Sequence, residues 1–175
     1  MYKLSGAVLI IIMSSYYGFY LTHQLKERIN VIDAYIYTFD YLESQIKYGL
    51  VPLPDICNEL AHNISNDIVG QMYGQVYVGL TDESDRESTF YEIWLEESDK
   101  LLKYGFIKKE ELKIIEEIGQ INTYIDRQLQ LKCIDNVIWK LKNIYNRLQS
   151  ELKTKSRIYQ VSGVMAGIIL TIILA

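Results

Sequence analysis

Hydrophobic residues collect in two uncharged runs, one at each end of the chain. The runs Leu4 to Leu21 and Ile158 to Ala175 each contain 18 residues, whereas all 22 acidic residues lie between them. Eighteen helical residues extend about 27 Å at 1.5 Å per residue, close to the roughly 30 Å hydrocarbon core of a bilayer. We therefore predict transmembrane helices over 4–21 and 158–175, with one domain over 22–157 between them.

Two other interpretations of these runs are open. The first run could be a cleaved signal peptide, because Lys3 precedes it. However, it is long for a signal peptide, and it ends in bulky residues instead of the small residues of a cleavage site. The second run could be a buried core helix, but it has no polar face. The transmembrane interpretation therefore fits both runs better.

Lysine and arginine residues set the predicted orientation. Six of them lie between 140 and 157, just before the second run, and none follows that run. Because positive residues favour the cytoplasmic side of a membrane, we expect the central domain in the cytoplasm. Cys57 and Cys133 would stay reduced there and pack as small hydrophobic residues.

The central segment has the apolar periodicity of helices. A first helix should end at Gly49, because two prolines follow it closely. Shorter helices are predicted over 55–62, 67–80 and 108–118, and another should run from a cap at Ser88 or Thr89 to Lys103. The apolar stripe of the first helix comprises Leu25, Ile29, Ile32, Tyr35, Ile36, Phe39, Leu42 and Ile46, and that of the last comprises Leu131, Ile134, Ile138, Leu141, Tyr145, Leu148 and Leu152. The predicted fold is all-α, a cytoplasmic helical bundle between two transmembrane helices.

Sequence signatures of catalysis are missing from the chain. It contains no phosphate-binding glycine loop, no zinc-protease motif and no serine-nucleophile motif. His23 and His62 are isolated, so a metal site is not expected. With 18 basic against 22 acidic residues, nucleic acid is not an expected partner either. Trp94 and Trp139 lie among apolar residues, and we expect both in the core. These patterns favour a protein that is no enzyme and binds no cofactor.

Small residues at a spacing of four occur in both terminal runs. They are Ser14 and Gly18 in the first, and Gly163 and Gly167 in the second. Such pairs let transmembrane helices approach closely, so the two spans or neighbouring protomers of a homo-oligomer could pack there. The alternative is a chance match, since small residues are common in membrane helices.

Scattered residues in a fixed order resemble those of a known family. The longest motif is Leu42-x-x-x-Ile46-x-Tyr48-Gly49-x-x-Pro52-Leu53-Pro54. The other matching positions are Gly6, Gly18, Phe19, Tyr20, Arg28, Ile93, Trp94, Gly119, Asp126, Gln130, Tyr159, Gly163, Val164 and Gly167. Along nearly its full length the chain resembles the stage III sporulation protein AB family of endospore-forming bacteria. It departs from the family at Gln45, usually Glu, at Thr123, usually Gly, and at Ile125, usually Ser or Thr.

The resemblance implies a role that the pattern of residues alone does not indicate. Members of this family resemble the inner-membrane platform protein of type II secretion and type IV pilus machines. They belong to the mother-cell membrane around the forespore. The implied partners are a cytosolic secretion-type ATPase, stage III sporulation protein AA, and other stage III sporulation membrane proteins. The expected function is thus a non-enzymatic scaffold. A membrane-anchored sensor is the rival class, but it needs a signalling domain beyond the second span and a bundle outside the cell.

Acidic residues are concentrated in one part of the predicted domain. Between Asp82 and Glu117 there are twelve acids and six bases, whereas 140–157 contains six bases and one acid. The basic segment should be drawn to anionic membrane lipids, by about 1 kcal/mol per residue. The acidic segment would then face the cytosol, and we expect the ATPase to dock at Glu96, Glu97, Glu110 and Glu111. The alternative is that these acids only keep the domain soluble.

Overall fold

The computed structural model describes residues 2–49, 51–82, 88–124 and 126–174. Within these ranges every regular element is helical, so the all-α prediction is confirmed. The helices are α1 Tyr2–Tyr48, α2 Leu53–Asn63, α3 Asp67–Thr81, α4 Phe90–Lys100, α5 Lys109–Glu116 and α6 Arg127–Leu174, with 3₁₀-helices at Leu101–Tyr104 and Glu117–Thr123.

The chain divides into two units. One comprises Arg28–Tyr145 and contains most of the buried side chains, and the other comprises Met1–Glu27 and Asn146–Ala175. Within the part of the chain that the structure describes, no helix is both long enough and apolar enough to cross a membrane. The spans expected over 4–21 and 158–175 fall mostly on residues whose side chains lie outside the described set. Those spans stay predictions.

Helix α1 buries the stripe that the sequence predicts. Ile32, Tyr35 and Phe39 are fully buried, and Ile29, Ile36 and Leu42 nearly so. The helix ends at Tyr48, as the following glycine predicts. Pro52, with φ −60° and ψ 145°, then takes the position just before α2. Its fixed φ suits that extended conformation, so the chain turns between the two helices.

Capping residues and one glycine place the next helices. Asn66 accepts the N–H of Val69 at 3.2 Å and caps α3. Thr89 forms a reciprocal capping box with Glu92 at the start of α4, which confirms one of the two predicted caps. The helix expected to reach Lys103 is α-helical to Lys100 and then 3₁₀. Gly105 ends it with φ +74°, a conformation that favours glycine.

Trp94 is the centre of the core of the Arg28–Tyr145 unit. Its ring centroid lies 5.6 Å from those of Tyr73 and Phe90 and 6.2 Å from that of Phe39. Its indole N–H donates to the carbonyl of Ile115 at 2.9 Å, so the buried polar group is satisfied. The prediction for Trp94 is therefore confirmed.

One expectation for the second half of the chain is wrong. Trp139 is 64% exposed, because α6 turns Ile134, Val137, Ile138 and Leu141 inward and leaves position 139 outside. The helix predicted over 108–118 is α-helical over Lys109–Glu116 and is followed by a 3₁₀-helix to Thr123. A Cβ on Gly119 would lie 3.0 Å from Cδ1 of Trp94, so this glycine allows a close approach to the indole.

Candidate partner-binding surface

The four acids predicted to bind a partner lie on two helices that contact each other. Glu96 and Glu97 are on α4, and Glu110 and Glu111 are in the first turn of α5. Helix α4 is positioned by Trp94, and α5 by the buried side chains of Leu112 and Ile115. The four acids therefore come from two neighbouring helices, but only Glu96 and Glu110 are exposed.

Lys100 partly neutralises the α4 acids. Its ammonium nitrogen lies 2.6 Å from Oε1 of Glu97 and 3.2 Å from Oε1 of Glu96. These two carboxylates raise the pKa of Lys100, with Glu97 the larger cause. The Glu96 side chain is 74% exposed, whereas that of Glu97 is only 13% exposed. Glu96 is thus available to a partner, and Glu97 mainly holds Lys100.

Glu111 does not belong to the surface, and the expectation that it binds a partner is wrong. Its side chain is fully buried. Both carboxylate oxygens accept hydrogen bonds from the guanidinium of Arg28, one of them from Nε at 3.3 Å. The same carboxylate accepts the backbone N–H of Lys108 at 2.7 Å, and this bond caps α5. Glu111 therefore joins the start of α5 to α1.

Sequence reasoning missed the Arg28–Glu111 pair because the two residues are 83 positions apart. A signal for burial was nevertheless present at each position. Arg28 lies on the apolar stripe of α1, four residues before Ile32. Glu111 lies four residues before Ile115, which is itself on the buried face of α5. A charge on an apolar stripe requires a partner of opposite charge in the core, although its position along the chain is not specified.

We use the name acidic surface for four acids of α4 and α5: the exposed Glu96 and Asp99 on α4, the exposed Glu110 on α5, and the half-buried Glu116 at the end of α5. Burial and the nearby negative charge of Asp99 raise the pKa of Glu116, and Lys113 opposes this. The charge of Asp99 thus acts across the α4–α5 boundary. A basic partner would relieve this repulsion between like charges.

The unit has two grooves, one beside α4 and one between the 3₁₀-helix Glu117–Thr123 and the start of α6. One, of about 280 Å³, lies between α3 and the end of α4 and is lined by Gln71, Gln75, Glu97, Lys100 and Tyr104, with Ile68, Met72 and Leu101. The other, of about 330 Å³, is lined by Glu117, Gln120, Tyr124, Leu129, Lys132, Cys133 and Asn136. Among the described residues, no group of three or more His, Cys, Asp or Glu side chains is placed to hold a metal ion.

The residues of the longest family motif lie where α1 gives way to α2. Leu42 is buried, Ile46 is half-buried and Tyr48 is 78% exposed. Gly49 follows the last residue of α1, and its N–H donates to the carbonyl of Gln45 at 2.8 Å. Pro52 and Pro54 lie just before α2 and within its first turn.

Two further family positions lie at the start of α6. Asp126 accepts the N–H of Gln128 at 2.9 Å, and Gln130 donates to the carbonyl of Tyr124 at 2.9 Å. The guanidinium of Arg127 donates to the carbonyl of Lys47. This bond brings the end of α1 next to the start of α6, so both groups of motif residues support the same end of the unit.

Several predicted positions lie outside the described residues. The side chain of Ser14 and the surroundings of Gly163 and Gly167 are among them, as are Ile125 and the side chain of Thr123. In α1, the carbonyl of Gly18 accepts a hydrogen bond from the hydroxyl of Thr22 at 2.9 Å. The close packing of spans through these small residues stays a prediction.

Comparisons with known proteins extend over almost the whole chain. Residues 3–175 match the family described as Stage III sporulation protein AB. A curated relative, Stage III sporulation protein AB of Bacillus subtilis (strain 168), is 23% identical over 175 residues, 99% of each chain. No solved structure matches significantly. The chain therefore belongs to the stage III sporulation protein AB family, as its resemblance predicted.

Proposed function

We propose that this protein is a non-enzymatic membrane scaffold in the secretion-like complex between the mother cell and the forespore. Membership of the family supports a role in sporulation. The finer proposal is that the Arg28–Tyr145 unit docks the cytosolic secretion ATPase, stage III sporulation protein AA, and that other stage III sporulation membrane proteins assemble around it. The acidic surface is the single observation that carries the docking proposal.

The acidic surface suits a docking role because it is fixed in place. Helix α4 is held by Trp94 and its bond to Ile115, and α5 is held by the Arg28–Glu111 pair. Side chains on anchored helices keep their relative positions, so a partner does not have to order them on binding. Their charges would speed the encounter with a basic surface and fix its orientation more than they would add affinity.

The proposed location is the mother-cell membrane, with the Arg28–Tyr145 unit in the cytoplasm. The uncharged runs 4–21 and 158–175 would cross the membrane. The basic segment 140–157 would lie beside the inner leaflet and attract anionic lipids. In that arrangement the acidic surface is repelled by the same lipids and stays open to a soluble partner.

Charge reversal on the acidic surface tests the docking proposal. The full chain carrying Glu96→Lys with Glu110→Lys should bind the purified ATPase with a lower association rate, and the loss should shrink as salt screens the charges. The matched control carries Asp33→Lys with Asp55→Lys, which makes the same charge change at exposed sites on α1 and α2. In a Trp139→Phe background, fluorescence of Trp94 reports whether each variant is folded.

Either of two results would remove the docking proposal. One is undiminished binding by the folded Glu96→Lys, Glu110→Lys variant at low salt, which would mean that the acids only keep the domain soluble. The other is an equal loss of binding in both variants, which would show a dependence on net charge instead of on the acidic surface.

A further inference from the structure

An exposed aromatic pair lies on the Arg28–Tyr145 unit, on different helices from the acidic surface. Tyr37 on α1 is 57% exposed, and Trp139 on α6 is 64% exposed. A large aromatic side chain at the surface leaves an apolar area in water that burial would stabilise. Tryptophan and tyrosine are also the residues that most often dominate the energetics of protein interfaces. The scaffold role proposed above does not use these side chains.

One ion pair and one hydrogen bond fix the arrangement of α1 and α6 around this pair. The ammonium of Lys142 lies 3.5 Å from both carboxylate oxygens of Asp40, and the guanidinium of Arg127 donates to the carbonyl of Lys47. Later residues of α1 thus meet earlier residues of α6, so the two helices run antiparallel, and the charged groups of Asp40 and Lys142 lie side by side.

The aromatic side chains therefore flank the ion pair. Tyr37 is three residues before Asp40 on α1, and Trp139 is three residues before Lys142 on α6. Because the helices are antiparallel, these steps lead to opposite sides of the pair. We call these four residues the aromatic patch. Its acid is on one helix and its base on the other, and both are about half exposed.

We propose that the aromatic patch binds a second copy of this chain. A two-fold axis parallel to the helices lays α1 of one copy on α6 of the other. Since the charged groups of Asp40 and Lys142 lie side by side, each Asp40 then meets Lys142 of the second copy, and four charges alternate around the axis. Tyr37 and Trp139 are covered above and below this ring of charges. The charge arrangement is thus self-complementary, which selects a second copy as the occupant.

A mixing experiment tests this pairing directly. A chain carrying Asp40→Lys should repel itself, because bases would oppose bases at both contacts. A chain carrying Lys142→Asp should also repel itself, because acids would oppose acids. When the two full-length variants are mixed, both contacts join opposite charges. Association in detergent, measured by energy transfer between labelled chains, should be stronger in the mixture than in either variant alone, on the order of tenfold.

Truncation of the aromatic anchor gives an independent measurement. Trp139→Ala should weaken association of the otherwise unchanged chain, whereas Tyr104→Ala should not. Tyr104 is a matched control because it is 49% exposed but lies at the end of the 3₁₀-helix after α4. Both changes are at exposed positions, and far-UV circular dichroism checks that each variant is folded.

Three results would overturn the proposal. The first is a mixture that associates no better than its separate components. The second is equal association of the Trp139→Ala and Tyr104→Ala variants. The third is a chain carrying Trp139→Cys, with Cys57 and Cys133 replaced by serine, that crosslinks in cells only to a different protein. That last result would assign the aromatic patch to that protein.

Discussion

Removal of the Glu111 carboxylate should destabilise the Arg28–Tyr145 unit more than any change on the acidic surface. In Glu111→Leu the guanidinium of Arg28, whose side chain is only 12% exposed, loses both of its bonds to this carboxylate. Breaking a buried ion pair by removing one partner costs about 3–5 kcal/mol, because the other charge stays buried without compensation. Domains are stable by only about 5–15 kcal/mol, so the loss should be a large fraction of the total.

The double variant Arg28→Met with Glu111→Leu isolates the cause. It removes both charges together, so no unpaired charge stays buried. Replacement of a buried pair by apolar side chains is often neutral or stabilising. We therefore expect the double variant to be more stable than Glu111→Leu alone, by several kcal/mol. The matched control is Glu110→Leu, which changes the neighbouring exposed carboxylate and should cost less than about 1 kcal/mol.

Urea unfolding of the full chain in detergent measures these differences. Trp94 reports on the unit because its ring is buried and its N–H is bonded to α5. All variants should be made in a Trp139→Phe background, so that Trp94 is the only tryptophan. Equal costs for Glu111→Leu and Glu110→Leu would refute the argument from burial. A double variant as unstable as the sum of its single changes would show that the cost does not come from an unpaired charge.

Two further predictions concern the backbone and the thiols. Gly105→Ala should lower the free energy of unfolding in urea by about 1 kcal/mol, because φ is +74° at this position. The new Cβ would meet no atom within 4 Å. A loss of several kcal/mol would therefore contradict a purely backbone cause. Burial raises the pKa of Cys57 to about 12, whereas Cys133 is half-buried and its pKa is raised by burial and then by Glu117. The thiolate is the form that reacts with iodoacetamide. At neutral pH the reagent should therefore label Cys133 first and Cys57 only after unfolding, as measured by mass spectrometry. Early labelling of Cys57 would mean that the unit opens.

The parts of the fold that depend on local chemistry were predictable from the sequence. The stripe of α1 repeats every three or four residues, so its buried face follows from helix geometry alone. Gly49 ends α1, Thr89 caps α4, and Gly105 takes the left-handed conformation after the 3₁₀-helix. Each of these residues acts within one helical turn of its own position. The burial of Cys57 and the bounds of α3 needed nothing beyond local pattern either. Such features require no knowledge of what lies opposite them.

The predictions that failed concern side chains whose environment is set by other helices of the unit. Trp94 and Trp139 both sit among apolar residues, and only the packing of the other helices decides that one is buried and the other exposed. Glu110 and Glu111 look alike in the sequence, but the second faces Arg28 across the unit. Adjacent residues on a helix point about 100° apart, so a pair of acids always has two different environments. The acidic surface is therefore smaller than the count of charges indicated.

The burial of Glu111 changes how the proposed scaffold could transmit force. Because Glu111 caps α5 and bonds to Arg28, the start of α5 is tied to α1 by a charged contact in the core. Helix α1 is continuous from Tyr2 to Tyr48, so the helix that holds α5 also carries the predicted span 4–21. In the proposed docking, a load on Glu110 would then reach α1 through the neighbouring Glu111 and its bond to Arg28. The Arg28–Glu111 pair would be the mechanical connection of the proposed role, and Arg28→Met with Glu111→Leu would keep the unit folded while replacing this connection by apolar contact. ATPase binding that survives in this double variant, together with a loss of complex function in sporulating cells, is the result that this argument requires.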